Sequence, residues 1–276
     1  MKHKIKYLQF YIGNVCNLTC PNCASFNNYA FKGQFDWKNT EPFAKQWSEI
    51  LEPIELAILG GEPFTNINLD EWVHGLLKYF KAPDFRITTN GTFIERDIER
   101  ILQYTHLGVN IEISSHSYEH YCQQTKFIEQ FYPIVSVLED RRIYKNDSPG
   151  FIEVRDASSF FNISIKNVAN KTFYMHNSDP IKAHAACLVS DCHYVVHGRL
   201  YQCVLTGTAA LFAEQFKLDD YSTDLVSKIN SISPFDSKET VDTFLNNITS
   251  PCAQCALCPE QLEMTQFVLP IKKQKI

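Results

Sequence analysis

The chain has 276 residues, 45% of them hydrophobic and 21% charged, and its 26 basic and 31 acidic residues give a formal net charge of −5. A chain of this length can bury one large core, or one core with a small additional module. The interspersed charges disfavour nucleic acid or an anionic membrane as the main partner, and we expect a cytoplasmic protein because no apolar run reaches the roughly 18 residues of a spanning helix and no signal peptide is recognisable.

In the first half of the chain, short apolar runs alternate with longer amphipathic segments, a pattern typical of strand–helix units and a parallel sheet. Strands are predicted at 7–12, 54–59, 85–88, 108–114 and 151–155, and helices at 37–51, 69–80 and 94–104. A further helix is predicted over 118–142, with a kink or a break at Pro133.

The alternation weakens beyond Arg155. Asp179 followed by Pro180 predicts a helix start, and residues 194–205 predict a hairpin that turns at His197 and Gly198. We expect a domain boundary between about Ser159 and Ser178, which divides the chain into residues 1–165 and 166–276.

The chain contains ten cysteines, and nine of them are clustered. Thiol buffers keep cysteines reduced in the cytoplasm, so clustered cysteines indicate metal binding or catalysis rather than disulfides. Cys122 stands alone; the clusters are Cys16, Cys20 and Cys23, then Cys187, Cys192 and Cys203, then Cys252, Cys255 and Cys258.

The first cluster follows the first predicted strand. Cys16, Cys20 and Cys23 place three thiolates within eight residues, and a loop of this length can hold three irons of a [4Fe–4S] cluster. No fourth cysteine lies nearby, so the fourth iron is open to a substrate. The alternative is a zinc knuckle, but zinc sites usually close with a fourth Cys or His, and the nearest histidines, His3 and His74, lie outside the loop.

This loop resembles the CxxxCxxC signature of the radical S-adenosylmethionine (SAM) family. Three further segments stand in that family's order: Gly60-Gly61-Glu62-Pro63, like the GGEP motif, closes the second predicted strand, Thr89-Asn90-Gly91 follows the third, and Ser114 ends the fourth. The resemblance covers residues 7–155. It implies an α/β fold, a partial (β/α)6 TIM-like barrel, with a small C-terminal cysteine-rich α+β module.

The resemblance also implies which residues bind SAM. In this family the backbone and the Glu carboxylate of the GGEP motif hold the amino group of SAM, which assigns cofactor binding to Gly60, Gly61, Glu62 and Pro63. Asn90 is included as the central residue of the segment that resembles the family's TNG.

Ser114 matches a polar residue that the family often has near the SAM ribose and carboxylate. Arg155, at the end of the fifth predicted strand, is a candidate for a bidentate contact with the SAM carboxylate; the alternative is a solvated surface arginine. The chain departs from the family at Asn22, where an aromatic residue commonly lies near the adenine. Phe26 is a candidate replacement, although an aromatic residue there also fits simple packing.

The downstream cysteines resemble another feature of the family. Gly198 to Cys203 is similar to the GxxxxC element of SPASM and twitch domains, which bind auxiliary iron–sulfur clusters. We expect one auxiliary [4Fe–4S] cluster; a SPASM-like set takes Cys187, Cys192, Cys203 and one cysteine of the last group, and a twitch-like set takes Cys203, Cys252, Cys255 and one upstream cysteine. A zinc ribbon is the alternative, and Cys258 completes the six candidate ligands.

The resemblance implies an oxidoreductase or maturase that cleaves SAM reductively to a 5′-deoxyadenosyl radical. This radical abstracts hydrogen from a ribosomal peptide or a small molecule, for oxidation, crosslinking or epimerisation, and flavodoxin or ferredoxin is the expected electron donor. Cys122 is a candidate hydrogen-atom donor, although a lone helical cysteine is usually a small buried hydrophobe. The alternative function is a non-catalytic iron–sulfur or zinc scaffold with a degenerate SAM pocket.

Overall fold

The computed structural model describes residues 2–29, 32–161, 164–262 and 264–266. The strands are β1 (His3–Tyr11), β2 (Leu51–Leu59), β3 (Asp84–Thr89), β4 (Asn110–Ser115), β5 (Ile134–Val137), β6 (Arg141–Tyr144), β7 (Ile152–Asp156), β8 (Ser159–Phe161), β9 (Ile165–Ala169), β10 (Thr172–Met175), β11 (Cys192–Val196), β12 (Arg199–Tyr201), β13 (Lys217–Leu218) and β14 (Met264–Gln266).

The described residues also form eight α-helices. They are α1 (Trp37–Ile50), α2 (Leu69–Tyr79), α3 (Ile98–His106), α4 (Tyr118–Ile128), α5 (Pro180–Ala185), α6 (Val204–Ala213), α7 (Asp220–Ser227) and α8 (Lys238–Asn246), with short 3₁₀ helices at Asn27–Tyr29, Pro63–Thr65 and Ala253–Leu257. None of the helices in the described ranges is long and apolar enough to cross a membrane.

Within the described residues, the largest sheet has nine strands in the order β12-β11-β1-β2-β3-β4-β7-β6-β5. The six strands from β11 to β7 are parallel, and antiparallel strands extend both edges. The prediction of an α/β fold is therefore confirmed, with a large, mainly parallel sheet; closure into a partial barrel stays a prediction.

The alternation of side chains along the strands explains how the sheet is covered. On β1, Leu8 and Phe10 are fully buried in the main core, and Trp72 of α2 packs against Phe10. Gln9 and Tyr11 alternate with these residues and therefore point to the opposite face. On β1, one face thus packs against α2, while the other carries Gln9 and Tyr11, and Tyr11 clusters with Val204 of α6.

The segment 118–142 differs from the predicted long helix. The helix α4 ends at Ile128, and the residues after Pro133 form the hairpin β5–β6, in which β6 pairs with β7. Pro133 cannot donate a backbone hydrogen bond within a helix, and the branched Ile134, Val135 and Val137 favour an extended strand. The helix therefore ends before Pro133, and a strand follows that residue instead of a second half of the helix.

The predicted hairpin at 194–205 is present, as β11 and β12, and turns at His197 and Gly198, which both have positive φ angles. The hairpin continues the main sheet, because β11 pairs in parallel with β1, and the division of the chain at about residue 165 stays a prediction. The cysteine-rich region is thus joined to the main sheet. The predicted helix start is also present: Asp179 caps α5 and its side chain accepts hydrogen bonds from two backbone N–H groups.

Candidate functional site

The candidate site lies at the carboxyl ends of β1 to β4, where parallel sheets usually bind ligands. The cysteine loop follows β1, the Gly60–Pro63 segment follows β2, and Asn90 follows β3. Ser114 is the last-but-one residue of β4 and is half-buried. The structure therefore brings to one edge of the sheet the motifs that the sequence singled out.

Two glycines allow the cysteine loop to cross the end of β2. Gly61 N donates to Gly13 O at 2.8 Å, and Glu62 N donates to Val15 O at 2.8 Å. A Cβ atom on Gly61 would lie 2.3 Å from Val15 O, and one on Gly60 would lie 2.8 Å from Gly13 O. Only glycine permits this approach, so these residues fix the position of the cysteine loop.

Glu62 is the central acid of the site and is 2% exposed. Its carboxylate accepts hydrogen bonds from Thr89 Oγ1 at 2.7 Å, from Asn90 N at 2.8 Å and from Phe64 N at 3.1 Å. Burial raises the pKa of Glu62 to about 7, although these donors oppose the rise. A buried carboxylate held by three donors is a rigid acceptor that a cationic or amino group would stabilise further.

Asn90 connects this carboxylate to the cysteine loop. Its side-chain nitrogen donates to Asn17 Oδ1 at 2.9 Å and lies 3.9 Å from Cys16 Sγ. Pro63, which is buried, begins the short 3₁₀ helix after Glu62. Gly61, Glu62 and Asn90 thus contact the cysteine loop directly.

The three thiols of the loop are free, half-buried and near enough to act on one another electrostatically. Burial raises the pKa of Cys16 to about 12 and also raises that of Cys20, and the neighbouring thiols add to both shifts. Burial raises the pKa of Cys23 as well, but backbone groups at Ser25 and Asn27 oppose that rise. Three mutually repelling thiolates are stable together only beside a cation, which a cluster of irons would supply.

Phe26 does not face the candidate site. It is 2% exposed and packs on Phe212 of α6, with ring centroids 4.6 Å apart. The structure therefore supports packing rather than contact with adenine for this side chain. Both Asn22 and Phe26 have positive φ angles, 60° and 59°, so the loop makes sharp turns on each side of Cys23.

Ser114 and Arg155 are direct neighbours, because they pair in register between β4 and β7. Arg155 donates through Nη2 to Glu153 Oε1 at 3.0 Å, so it is held by an ion pair rather than fully solvated. Its Nε atom is buried and has no hydrogen-bond partner among the described residues. An anionic group at this edge of the sheet, such as a carboxylate, would satisfy it.

The C-terminal cysteines lie around two neighbouring cavities. The smaller cavity is lined by Cys187, Cys203, Cys252, Cys255 and Cys258. Cys192 lines the larger one, together with Cys187, Cys203 and Cys258. Burial raises the pKa of Cys192 to about 12, and the carboxylates of Glu55 and Asp191 contribute to the rise.

Local structure places the five thiols around their cavity. Cys203 caps α6, and Cys252 caps the 3₁₀ helix Ala253–Leu257. Cys252 Sγ and Cys255 Sγ are 3.8 Å apart, and this hydrogen bond lowers the pKa of Cys252. Burial raises the pKa of Cys258 to about 12. In the parts of the chain that the structure describes, the N-terminal loop included, no three His, Cys, Asp or Glu side chains are placed closely enough to hold a metal ion.

Cys122 is exposed on α4. A thiol that donates hydrogen to a substrate radical has to lie in a site that excludes water, so this placement argues against the role of hydrogen-atom donor. The buried neighbours on α4 include Tyr121 and Gln124, which face the sheet.

Gln124 is a site residue that the sequence did not reveal. Its side chain donates to Asn90 O at 3.1 Å and accepts a hydrogen bond from Ser115 Oγ. It therefore ties the ends of β3 and β4 together. No short motif marks it, because its partners are 34 and 9 residues away in sequence.

No protein family matches the chain in a scan of family profiles, and no curated protein matches it. The fold is similar to the crystal structure of BtrN in complex with AdoMet and 2-DOIA, with a TM-score of 0.50, 18% identity, and 94% of each chain covered. A structure of selenomethionine BtrN in an open conformation has a TM-score of 0.47 and 16% identity, with 95% of this chain and 97% of that chain covered. At 18% identity, the similarity to the first of these structures indicates a shared fold only.

Proposed function

We propose that this protein is a radical SAM enzyme, which reductively cleaves SAM at an iron–sulfur cluster bound by Cys16, Cys20 and Cys23. The observation that carries the proposal is the junction between motifs: the Gly60–Glu62 backbone binds the cysteine loop directly, and the buried Glu62 carboxylate is linked to Cys16 through Asn90. The AdoMet in the BtrN structure of similar fold agrees with this assignment.

In this proposal the residues of the chain divide the work of binding. The Glu62 carboxylate accepts hydrogen bonds from the amino group of SAM, and Arg155 meets its carboxylate through the buried Nε. Ser114 lies beside Arg155 and adds a hydroxyl at the same edge. The cluster, when bound, supplies the electron that splits SAM and yields a 5′-deoxyadenosyl radical. The protein keeps water away and positions the substrate.

We also propose that four of the six C-terminal cysteines bind an auxiliary [4Fe–4S] cluster. Their grouping around two neighbouring cavities supports this, since sulfur ligands around one space are what a cluster requires. The reaction class extends to oxidation, crosslinking or epimerisation of a peptide or small molecule, with a flavodoxin or ferredoxin as electron donor.

A non-catalytic scaffold with a degenerate SAM pocket is the competing function. The departure at Asn22 favours it, because the usual aromatic residue is missing there. The three hydrogen bonds to Glu62 and the close glycine crossing count against it, because a degenerate pocket has no need for a buried acid whose ionised form is costly.

The test is SAM cleavage by the anaerobically reconstituted, chemically reduced protein without substrate. Formation of 5′-deoxyadenosine, measured by liquid chromatography and mass spectrometry, is the expected result. Protein that is loaded with iron and sulfide but yields none would exclude the enzymatic function and leave the scaffold.

A further inference from the structure

A chain of buried hydrogen bonds connects helix α4 to the acid of the candidate site. Gln124 lies in the middle of α4 and is 6% exposed. Its Oε1 atom accepts from Ser115 Oγ at the end of β4, and its Nε2 atom donates to Asn90 O at 3.1 Å. A backbone carbonyl can only accept a hydrogen bond, so the nitrogen of the amide has to face Asn90. Both ends of this side chain therefore have a partner, and its orientation is fixed.

Gln124 packs directly against the turn that follows β3. Gly91, which comes after Asn90, has a φ angle of 71°. A Cβ atom on Gly91 would lie 2.5 Å from Gln124 Nε2 and 2.5 Å from Ile113 Cγ2. The contact with Gln124, together with the backbone angle, thus explains why glycine is needed at this position. The turn cannot shift toward α4, and the amide of Gln124 holds it from that side.

This turn supplies two of the three hydrogen bonds that the Glu62 carboxylate accepts. Asn90 N donates to Oε2 at 2.8 Å, and Thr89 Oγ1 donates to Oε1 at 2.7 Å. The Thr89 hydroxyl accepts in addition from Gly91 N at 3.1 Å, which leaves its own proton for Glu62. The third donor, Phe64 N, lies on the same segment as Glu62 and outside the turn. The position of the carboxylate relative to β3 therefore depends on the conformation of the turn that Gln124 holds.

The contact of Gln124 with Asn90 does more than attach α4 to the sheet. Ser115, which is fully buried on β4, already joins the helix to the sheet through the other end of the amide. The bond from Gln124 Nε2 instead reaches a residue whose N–H group donates to Glu62 and whose side chain donates to Asn17 of the cysteine loop. A displacement of Asn90 would therefore change both of these contacts.

We propose that Gln124 is a positioning residue for SAM binding. It holds the turn 89–91, and through this turn the Glu62 carboxylate, in the orientation that accepts hydrogen bonds from the amino group of SAM. The proposal rests on the function proposed above, in which Glu62 meets that amino group. It adds a residue of α4, which none of the sequence motifs includes, to the residues that determine the affinity for SAM.

Calorimetry of SAM binding to the anaerobic, cluster-loaded protein tests this role. Gln124→Met keeps the length of the side chain and removes both of its hydrogen bonds. SAM should bind about tenfold more weakly, because the loss of one well-aligned hydrogen bond to a charged group corresponds to about this factor. Gln123→Met is the matched control and should bind SAM like the wild type, since Gln123 is the exposed neighbour on the same helix. Wild-type affinity in folded Gln124→Met, or an equal loss in Gln123→Met, would overturn the proposal.

A double-mutant cycle separates positioning of Glu62 from a general disturbance of the pocket. In the Glu62→Gln background, Gln124→Met should weaken SAM binding by less than about twofold, because two changes that act through the same group are not additive. A further loss of about tenfold would show that Gln124 acts independently of Glu62, contrary to the proposal. Circular dichroism checks the folding of each variant. If Gln124→Met does not fold, Gln124→Asn takes its place, and this shorter amide should weaken SAM binding by at least about threefold.

The same measurements distinguish this role from the proposed function. Wild type that binds SAM but forms no 5′-deoxyadenosine contradicts the enzymatic function, and the affinities of the variants still decide the role of Gln124. Wild type that cleaves SAM, together with wild-type affinity in Gln124→Met, contradicts the role of Gln124 alone. Wild type that binds no SAM contradicts both.

Discussion

The two cysteine regions of this protein are assembled in opposite ways. The N-terminal thiols lie within eight residues, on a loop held by backbone hydrogen bonds to the end of β2. The five C-terminal thiols around the smaller cavity come from the loop after α5, the cap of α6, and the 3₁₀ helix Ala253–Leu257 with its flanks. One site is a local motif fixed by two glycines, and the other exists only when distant elements are packed.

This difference predicts that substitutions in the two cysteine regions have different effects on function and stability. A local loop keeps its geometry as long as the strand ends are in place, so its function should be separable from that of the C-terminal region. A site assembled from several elements contributes to the packing of those elements, and a cluster that binds only the folded state stabilises it. Four experiments separate the two regions.

The largest effect is expected for Cys20→Ala, which removes one ligand of the N-terminal loop. Reduced protein should then form no detectable 5′-deoxyadenosine, because an incomplete ligand set cannot hold the cluster that splits SAM. The exposed Cys122 is the matched control, and Cys122→Ala should cleave SAM like the wild type. Cleavage that survives in Cys20→Ala would remove the functional distinction between the loop and the other cysteines.

Cys203→Ala should affect only the C-terminal region. Iron and sulfide should fall from about eight to about four of each per chain, which is the content of one [4Fe–4S] cluster. Substrate-free cleavage of SAM should persist, while turnover of the true substrate should be lost. Circular dichroism of the same preparation controls for unfolding of the region around α6. If the wild type contains zinc and only one iron–sulfur cluster, the C-terminal site is a structural zinc site instead.

Glu62→Gln tests the acid that joins the motifs of the first region. The change keeps the shape and removes the charge, and hydrogen bonds to a charged group contribute on the order of 1.5 to 3 kcal/mol. SAM should bind about tenfold more weakly, or worse, because 1.4 kcal/mol corresponds to a factor of ten. Calorimetry measures the affinity, and the iron content should equal that of the wild type. If Glu62→Gln binds SAM with the wild-type affinity, the Gly60–Pro63 segment only ends a strand.

The smallest effect concerns the stability of SAM-free protein as a function of pH. Burial raises the pKa of Glu62 from 4.5 to about 7, so the folded state binds this proton more tightly than the unfolded state does. The resulting stability is complete below pH 4.5 and is lost as the pH rises through about 7. Between pH 5 and pH 8, wild type should lose stability relative to Glu62→Gln, by about 3 kcal/mol at most. If the melting temperatures of both proteins change with pH in the same way, Glu62 is not a buried acid with a raised pKa.

The sequence by itself determined the features that depend on near neighbours in the chain. The strand–helix alternation predicted β1 to β4 and α1 to α3, because periodicity reflects which faces are buried. The spacing of Cys16, Cys20 and Cys23 and the glycines before Glu62 were visible for the same reason: the loop and the strand end each need specific residues at fixed offsets. Asp179 and Pro180 predicted the start of α5, because capping is a local interaction.

Only the tertiary structure decided the rest. Nothing local indicates that β11 pairs with β1, more than 180 residues earlier in the chain, or that Gln124 ties Asn90 to Ser115. The grouping of the six C-terminal cysteines around two neighbouring cavities is not visible in the sequence either, since all six look alike there. These contacts form because sheet pairing and core packing bring distant residues together. The free energy of that packing depends on the whole chain, so no short segment of the sequence predicts it.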